Sequence, residues 1–463
     1  MLTGVKFKAN PTKAQKEILS QWMGCARVIW NAKCQEERYY STFARKYRAI
    51  GTFAPIDQKY SHFKSRELTS YLYECPSQIL RNSATNWYET FSKYKRKLCG
   101  KPRFKPKTDK GSVHLTRELF SLVTCKDGVV RLKLGTQKFD LGFLSFKKHK
   151  DFKEPKSIYI KRECGEYHIS FCYENVSKND TLKKDEKAHL NNLKRRSEVF
   201  LNRYTIGIDR GIKIAIQASN DTAYDFTENQ SKNLSKHKKK IKYLQRCLAK
   251  QKNKQSNHRK RTKQRLSKAY CKIKNIRRDL CHTASDRIIK SHAKIIILEN
   301  LKTVNMTKSA KGTIESPGKN VKAKSGLNRE ILNKGWHLFE SFLQYKALKA
   351  GKVVFKVPAP YTSQTCAKCD HTNPANRKTQ SRFECVSCGH IDNADKNASC
   401  VIRNRAIKLI KDSETELVGK GIPTLSATGR GAVYPRKATK RSNSDCKEAS
   451  KKKEERQQAG TVA

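Results

Sequence analysis

Four closely spaced cysteines constrain the fold of this chain more than any other feature. They form two Cys-x-x-Cys pairs, fifteen residues apart, in the stretch CAKCDHTNPANRKTQSRFECVSCGH. Each pair puts two sulfurs on one tight turn, and this spacing is typical of a zinc site with four thiolates. Four thiolates fill the tetrahedral shell of Zn²⁺, so the ion would be structural. We predict a zinc ribbon at 361–390 held by Cys366, Cys369, Cys385 and Cys388; four unconnected thiols are the simpler alternative.

The charge of the chain indicates a polyanionic partner. Its 463 residues include 100 Lys and Arg against 41 Asp and Glu, a formal net charge of +59. Such an excess repels itself unless an anion neutralises it, and nucleic acid does so through phosphate contacts. A membrane surface fits less well, because the basic stretches lack the apolar face of an interfacial helix.

Export and membrane insertion are not indicated. The start, MLTGVKFKANPTKAQ, has no apolar core of a signal peptide, and no apolar run approaches the roughly 18–20 residues of a transmembrane helix. We therefore expect a soluble, cytoplasmic protein without a membrane partner. Because disulfides are rare in the cytoplasm, the 16 cysteines do not predict a disulfide framework.

Hydrophobic periodicity divides the chain into segments of different character. Residues 2–9 and 112–174 alternate like the strands of a small β module, whereas helical stretches dominate 10–111. Between Asn229 and Arg278 no acidic residue occurs, and two apolar stripes predict a basic helical hairpin that favours phosphate contact over mere solvation. The tail, 413–463, has the composition of a disordered segment.

Three carboxylates occupy positions that favour metal chemistry. Asp209 and Glu299 each end a short apolar strand, and Asp395 begins a helical stretch. Brought together at one sheet edge, the three would repel one another unless cations lay between them. Two Mg²⁺ ions would relieve that repulsion and serve phosphodiester hydrolysis. Spacing alone does not distinguish this from ordinary strand-end and helix N-cap acids.

Several motifs, in order, resemble the TnpB family of transposon-encoded nucleases, relatives of the compact type V CRISPR effectors. IGIDRGIK, KIIILEN, YTSQTCAKC…CVSCGH and NADKNAS resemble the split RuvC motifs of that family. NPTKAQKEIL, GCARVIWNAK and GKPRFKPK resemble its N-terminal helical start and its connector. The resemblance covers the chain up to about residue 412, and it implies a nucleoid-associated protein of a prokaryote.

The resemblance implies an α+β multidomain fold. Its parts would be an RNase-H-like (RuvC) α/β core at 201–360 and 391–412, which carries the basic hairpin at 229–290 and the inserted zinc ribbon, a β-barrel-like wedge domain at 1–9 and 112–200, and a helical recognition lobe at 10–111.

The resemblance also implies site residues. Asp209, Glu299 and Asp395 correspond to the three RuvC carboxylates that hold two Mg²⁺ ions, with Asn397 as a polar neighbour. Arg210 departs from the usual apolar residue, yet adjacent side chains on a strand point to opposite faces, so it need not face the metals. Asp392 falls out of register with the motif.

The function implied is that of an RNA-guided DNA endonuclease of a mobile element. A guide RNA from the element end would pair with double-stranded target DNA, and the protein would read a short transposon-adjacent motif. A compact type V CRISPR effector and a guide-dependent regulator that does not cleave are the alternatives. The presence of all three acids favours cleavage.

Two groups of polar residues are candidates for nucleic-acid contact. Gln78 and Asn82 lie four residues apart on a predicted helix, and either amide can bond adenine in a major groove. Arg377, Lys378 and Arg382 lie on the predicted ribbon and suit phosphate contact. Solvent-facing polar side chains are the simpler interpretation of both groups.

Overall fold

The chain divides into two compact units. The computed structural model describes residues 2–47, 49, 56–107, 110–124, 128–174, 186–419 and 421–427. Residues 1–183 and 226–281 form the first unit, and residues 184–225 and 282–463 form the second. Most of the predicted basic hairpin thus belongs to the first unit, whereas the strands that precede and follow it in the chain belong to the second.

The first unit contains a seven-stranded antiparallel sheet. Its strands are β1 (Leu2–Ala9), β2 (Gly111–Thr116), β3 (Phe120–Thr124), β4 (Val129–Gly135), β5 (Asp140–Lys147), β6 (Ser157–Glu163) and β7 (Glu166–Glu174). Their order is β2-β6-β7-β1-β5-β4-β3. The N-terminal strand thus lies inside the sheet, and its alternation buries Val5, Phe7 and Ala9 in the core.

The helices of the first unit are α1 (Lys13–Thr42), α2 (Ser77–Lys95), α5 (Glu228–Lys250) and most of α6, which runs Asn257–Lys290. Thr12 caps α1 in a capping box with Gln15. The Gln15 amide also donates to the carbonyls of Leu141 and Phe143 on β5, at 3.1 and 2.9 Å. The start of α1 is thereby bonded to the sheet, and its apolar face packs Leu19 and other residues into the same core.

The second unit contains a mixed sheet in the order β10-β9-β8-β11-β12-β16-β15. Its strands are β8 (Thr205–Asp209), β9 (Ile216–Ala218), β10 (Ala223–Tyr224), β11 (Ile295–Glu299), β12 (Val353–Val357), β15 (Thr415–Val418) and β16 (Thr424–Ala427). The central strands β8, β11 and β12 run parallel. They are almost wholly apolar, as parallel strands covered on both faces are.

The remaining elements of the second unit surround this sheet. They are α3 (Glu186–Lys194), α4 (Glu198–Tyr204), α7 (Thr303–Met306), α8 (Val321–Lys334), α9 (Trp336–Lys349) and α10 (Ala394–Lys411), with the two-stranded pair β13 (Arg382–Glu384) and β14 (Ile391–Asn393). Within the described part of the chain, no helix has both the length and the apolar character that crossing a membrane requires.

Strands β15 and β16 correct the prediction of a disordered tail from residue 413. They pair with each other, and β16 continues the sheet beside β12. Leu425 lies in the core of the second unit, so the first part of the tail belongs to the fold. Residues 428–463 lie outside the described residues.

Gly207 in β8 allows helix α10 to approach the sheet closely. A Cβ at this position would lie 2.2 Å from the Ser399 carbonyl oxygen and 2.6 Å from the Arg403 nitrogen. Both atoms belong to the main chain of α10, which cannot yield as a flexible side chain would. The contact packs the second and third turns of α10 against the middle of β8.

Replacing Gly207 with Ala should destabilise the protein by about 2–3 kcal/mol, the range of costly overpacking. Gly326 on α8 is the matched control, since a Cβ there meets nothing within 4 Å. Gly326→Ala should stabilise by about 0.5–1 kcal/mol, as alanine does in a helix. Urea unfolding of both variants measures the difference, and equal effects would contradict the proposed close packing.

Candidate active site and metal centre

The four cysteines of the predicted ribbon come together in one cluster. Among the described residues, these four sulfur atoms all lie within 4.8 Å of one another, close enough to bind one metal ion. The sulfurs of Cys366 and Cys388 are 3.7 Å apart, and those of Cys369 and Cys385 are 3.6 Å apart. A tetrahedron with Zn–S bonds of about 2.3 Å has edges of about 3.8 Å. The thiolates therefore fit a tetrahedral ion such as Zn²⁺.

Each Cys-x-x-Cys pair lies on a turn of the same design. The Cys366 amide donates to the His371 carbonyl, and the Cys385 amide donates to the His390 carbonyl. Asp370 and Gly389 follow the second cysteine of each pair with φ values of 58° and 66°. The two turns are thus equivalent halves of one metal centre.

Asn397 joins this ribbon to helix α10. Its side-chain oxygen accepts from the Ala367 amide at 2.9 Å, and its nitrogen donates to the Thr365 carbonyl at 2.8 Å. The residue is fully buried. Both ends of the amide are therefore occupied by the ribbon, which makes Asn397 a link between the metal centre and the helix that carries Asp395.

The fold brings Asp209, Glu299 and Asp395 together. Parallel strands β8 and β11 are neighbours, and their last residues are Asp209 and Glu299. Asp395 lies in the first turn of α10, where the Asn393 side chain caps the helix by accepting from the Asp395 amide at 3.0 Å. Since α10 packs against β8, all three carboxylates lie at one edge of the sheet.

The electrostatics of this site disfavour three bare carboxylates. Burial, then Glu299 and then Asp395 raise the pKa of Asp209 to about 8. Burial also raises the pKa of Glu299 and that of Asp395. Arg210 lowers the pKa of Asp209, and Arg377 and then Lys213 lower that of Asp395, against these increases. A bound cation would stabilise the charged forms.

These carboxylates supply the oxygen ligands that Mg²⁺ prefers. They are less tightly gathered than the four sulfurs, because no 4.8 Å cluster of described residues includes all three. The donor chemistry of these three acids thus fits Mg²⁺.

Side chains around the acids hold them in place. The Thr362 hydroxyl donates to Glu299 Oε1, and Thr362 itself is buried. Arg377 on the ribbon reaches Asp395, with 3.7 Å between its Nη2 and Asp395 Oδ1. The sequence indicated neither contact, because both join residues far apart in the chain through the folded ribbon.

Asp209→Asn should stabilise the protein when Mg²⁺ is absent. An Asp carboxyl starts from a pKa of 3.8 and reaches about 8 here. Between these values the unfolded carboxyl ionises while the folded one keeps its proton, so the metal-free protein loses stability as the pH rises. The Asn side chain cannot ionise, so the variant does not lose stability in this way as the pH rises. We expect a melting temperature at least about 2 °C higher in EDTA at pH 8, and no gain would contradict the repulsive cluster.

The candidates for nucleic-acid contact differ in their surroundings. Asn82 is buried, and its amide nitrogen donates to the His114 carbonyl at 3.2 Å, which argues against a role in reading bases. Gln78, one turn earlier, is partly exposed. On the ribbon, Lys378 and Arg382 are exposed and lie 3.6 and 3.5 Å from Glu384. They remain open to solvent and to phosphate.

Three family models match parts of the chain. Residues 1–41 match a family described as "Helix-turn-helix domain", residues 176–310 one described as "Probable transposase", and residues 336–402 one described as "Cas12f1-like, TNB domain". In the structure the first segment folds as β1 followed by α1. The third segment includes α9, the ribbon and the first half of α10.

Relatives with similar sequences cover nearly the whole chain. It is 30% identical over 402 residues to "Putative RNA-guided DNA endonuclease InsQ" of Escherichia coli (strain K12), which covers 86% of this chain and 90% of the relative. It is 22% identical over 442 residues to "Putative RNA-guided DNA endonuclease" of Streptomyces pristinaespiralis, covering 94% and 96%. The protein in a cryo-EM structure of a Cas12f1–sgRNA–target DNA complex has a similar fold, with a TM-score of 0.51, 14% identity, and coverage of 88% of this chain and 99% of that one.

Proposed function

Because this chain belongs to the TnpB family of RNA-guided DNA endonucleases, we propose that it cleaves double-stranded DNA at sites chosen by a guide RNA, and that Asp209, Glu299 and Asp395 perform the cleavage. The convergence of these three carboxylates at one sheet edge is the observation that carries the proposal. The guide RNA would come from the end of the mobile element. The target would lie beside a short transposon-adjacent motif.

The chemistry assigned to this site is two-metal phosphodiester hydrolysis. Asp209, Glu299 and Asp395 would hold two Mg²⁺ ions, which when bound activate the attacking water and stabilise the leaving oxygen. Thr362 fixes one oxygen of Glu299 through its hydroxyl. Arg377 lies beside Asp395, where its charge is placed to attract the scissile phosphate.

The two units take the roles that this function requires. We assign the second unit's mixed sheet and α10 to an RNase-H-like RuvC core, with the zinc ribbon inserted before Asp395. We assign the sheet of β1 to β7 to a wedge domain and the helices between β1 and β2 to a recognition lobe. The ribbon's zinc is structural, because four thiolates leave the ion no open position.

The basic helices α5 and α6 fit a partner with a phosphate backbone. The stretch from Asn229 to Arg278 holds no acid, and among the described residues only short apolar stripes such as Ile241, Ala269 and Ile273 pack in their shared core. Exposed lysines and arginines are therefore frequent on the remaining surface of these helices. Guide RNA and target DNA both present the phosphates that such a surface neutralises.

The adjacent motif can be identified by cleavage of a DNA library. The protein copurified with its RNA receives Mg²⁺ and duplexes that carry the guide-matched sequence beside randomised flanks, and the cut ends are sequenced. Wild-type protein should enrich one short motif. Gln78→Ala should relax one position of it, as loss of a bidentate base contact does, whereas Lys16→Ala, an exposed change on α1, should not.

The outcome of that experiment separates the alternatives. Cuts beside one motif support a guided endonuclease, whereas binding without cuts would favour a guide-dependent regulator. An unchanged motif with Gln78→Ala would remove Gln78 from motif reading and leave the nuclease assignment intact. A repeat-derived guide in place of RNA from the element end would identify a compact type V CRISPR effector.

A further inference from the structure

Arg210 is a buried charged residue beside the proposed active site that has no role in the chemistry described so far. It directly follows Asp209 at the end of β8, where the resemblance leads one to expect an apolar residue. Only 3% of its surface is exposed. A buried guanidinium is costly unless it is paired and hydrogen-bonded. Among the described residues Arg210 Nε has no hydrogen-bond partner, so the contacts of the two terminal nitrogens indicate the role of this side chain.

Those contacts join the ends of three strands and one helix. One terminal nitrogen of Arg210 donates to the Glu299 main-chain carbonyl at 2.5 Å. The other lies 3.0 Å from Glu340 Oε2 on α9. Glu340 also pairs with Lys356 on β12. The guanidinium therefore connects Asp209's strand to Glu299's strand and is held there from α9.

The position of the bond to Glu299 gives it a specific effect. Strands β8 and β11 pair in register as far as Ile208 and Leu298. Beyond that pair the ladder ends, so Asp209 and Glu299 have no ladder pairing between them. The hydrogen bond from Arg210 to the Glu299 carbonyl lies just beyond the last pair of this ladder. It fixes the main chain of Glu299 against the end of β8.

We propose that Arg210, oriented by Glu340, is a positioning residue that sets the separation of the Asp209 and Glu299 carboxylates for metal binding. The idea rests on the proposed function, since it assumes that these acids hold metal ions. An apolar residue here would spare the desolvation of a charge, yet it could not hold the carbonyl. The positive charge of Arg210 also favours the ionised form of both acids.

The test measures metal binding directly. Mn²⁺ replaces Mg²⁺ in the full-length protein–RNA complex, and electron paramagnetic resonance counts bound Mn²⁺, with the Asp209→Ala complex as the blank. Arg210→Met should weaken Mn²⁺ binding at the site about 10–100-fold, as loss of a group that orients metal ligands does. The Mg²⁺ concentration for half-maximal cleavage should rise by the same factor, while target-DNA affinity stays within about twofold.

Two further variants keep the test decisive. Arg210→Lys retains the charge but has one compact ammonium in place of a fork, so it should weaken Mn²⁺ binding in the same direction, by less. Glu340→Gln should do likewise, because the guanidinium loses its charged anchor. If Arg210→Met does not fold, Mn²⁺ binding by Arg210→Lys and Glu340→Gln tests the positioning role.

Lys33 provides the matched control for loss of a buried cation. It is fully buried on α1 and pairs with Glu36 and, at 3.4 Å, with Asp57. Lys33→Met should lower stability and leave Mn²⁺ binding unchanged. The inference fails if all Arg210 and Glu340 variants bind Mn²⁺ like wild type and lose only stability. Absence of cleavage in wild type would instead contradict the proposed function, and the Mn²⁺ titration would still test the positioning role.

Discussion

Asp209→Ala should lower target cleavage by at least about 10³-fold, the scale on which loss of an essential catalytic group acts. The negative charges of Glu299 and Asp395 both raise the pKa of Asp209, so this carboxyl interacts with each of the other two acids. Without it, the proposed Mg²⁺ site would lose one of its three carboxylate ligands. Binding of guide RNA and target DNA should remain, because removing one carboxylate does not weaken the attraction of a chain with a net charge of +59 for phosphates. Single-turnover cleavage and gel-shift binding measure the two effects separately.

A matched pair of acids on one segment sharpens this prediction. Asp395→Ala should abolish cleavage like Asp209→Ala. Asp392→Ala, three residues earlier, should cleave within about twofold of wild type, because Asp392 lies on β14, where its carboxylate accepts from the Asn393 amide and lies 3.9 Å from His390 Nε2. Equal losses for both variants would mean that the segment matters for its fold and not for the Asp395 carboxylate.

Removal of zinc should unfold the ribbon and abolish cleavage with it. Structural zinc in small thiolate sites supplies about 10–16 kcal/mol of apparent binding free energy, which is also folding free energy. Asn397 bonds α10 to the ribbon through Thr365 and Ala367. Loss of the ribbon therefore releases the helix that positions Asp395. It also removes Arg377 from Asp395.

The measurement combines metal content with activity. Wild type should hold one zinc per chain, and Cys369→Ser should lose zinc, lower the melting temperature and stop cleavage. Cys172→Ser is the control, since Cys172 is an exposed thiol on β7 outside the cluster. A zinc-free chain that melts and cleaves like wild type would contradict a structural role for the metal.

The spacing of the four cysteines and the strand-end positions of two acids were readable from the sequence because both are local patterns. The cysteine spacing predicted the cluster that the structure forms. Short apolar strands that end in Asp209 and Glu299 predicted neighbouring carboxylates, because parallel strands end at the same sheet edge.

Other features depend on contacts that no local pattern encodes. The sequence around Asn82 suggests a solvent-facing side chain on a helix. In the structure β2 covers this side chain, and its amide donates a hydrogen bond to the His114 carbonyl. Strands β15 and β16 begin a tail that is rich in Lys and Ser as a whole, but β16 pairs with the distant strand β12. The alternation of side chains along a strand allows Arg210 to point away from the three acids. In the structure its long side chain reaches the Glu299 carbonyl.

Programmable cleavage tests the central claim most directly. The protein is assembled with RNA whose guide segment has been replaced by a new sequence, then mixed with Mg²⁺ and a duplex that contains the new target beside the enriched motif. We predict cuts in that duplex by wild type, none in the original target, and none in either by Asp209→Ala. Cleavage by Asp209→Ala at the wild-type rate, or cuts that ignore the new guide, would contradict the account.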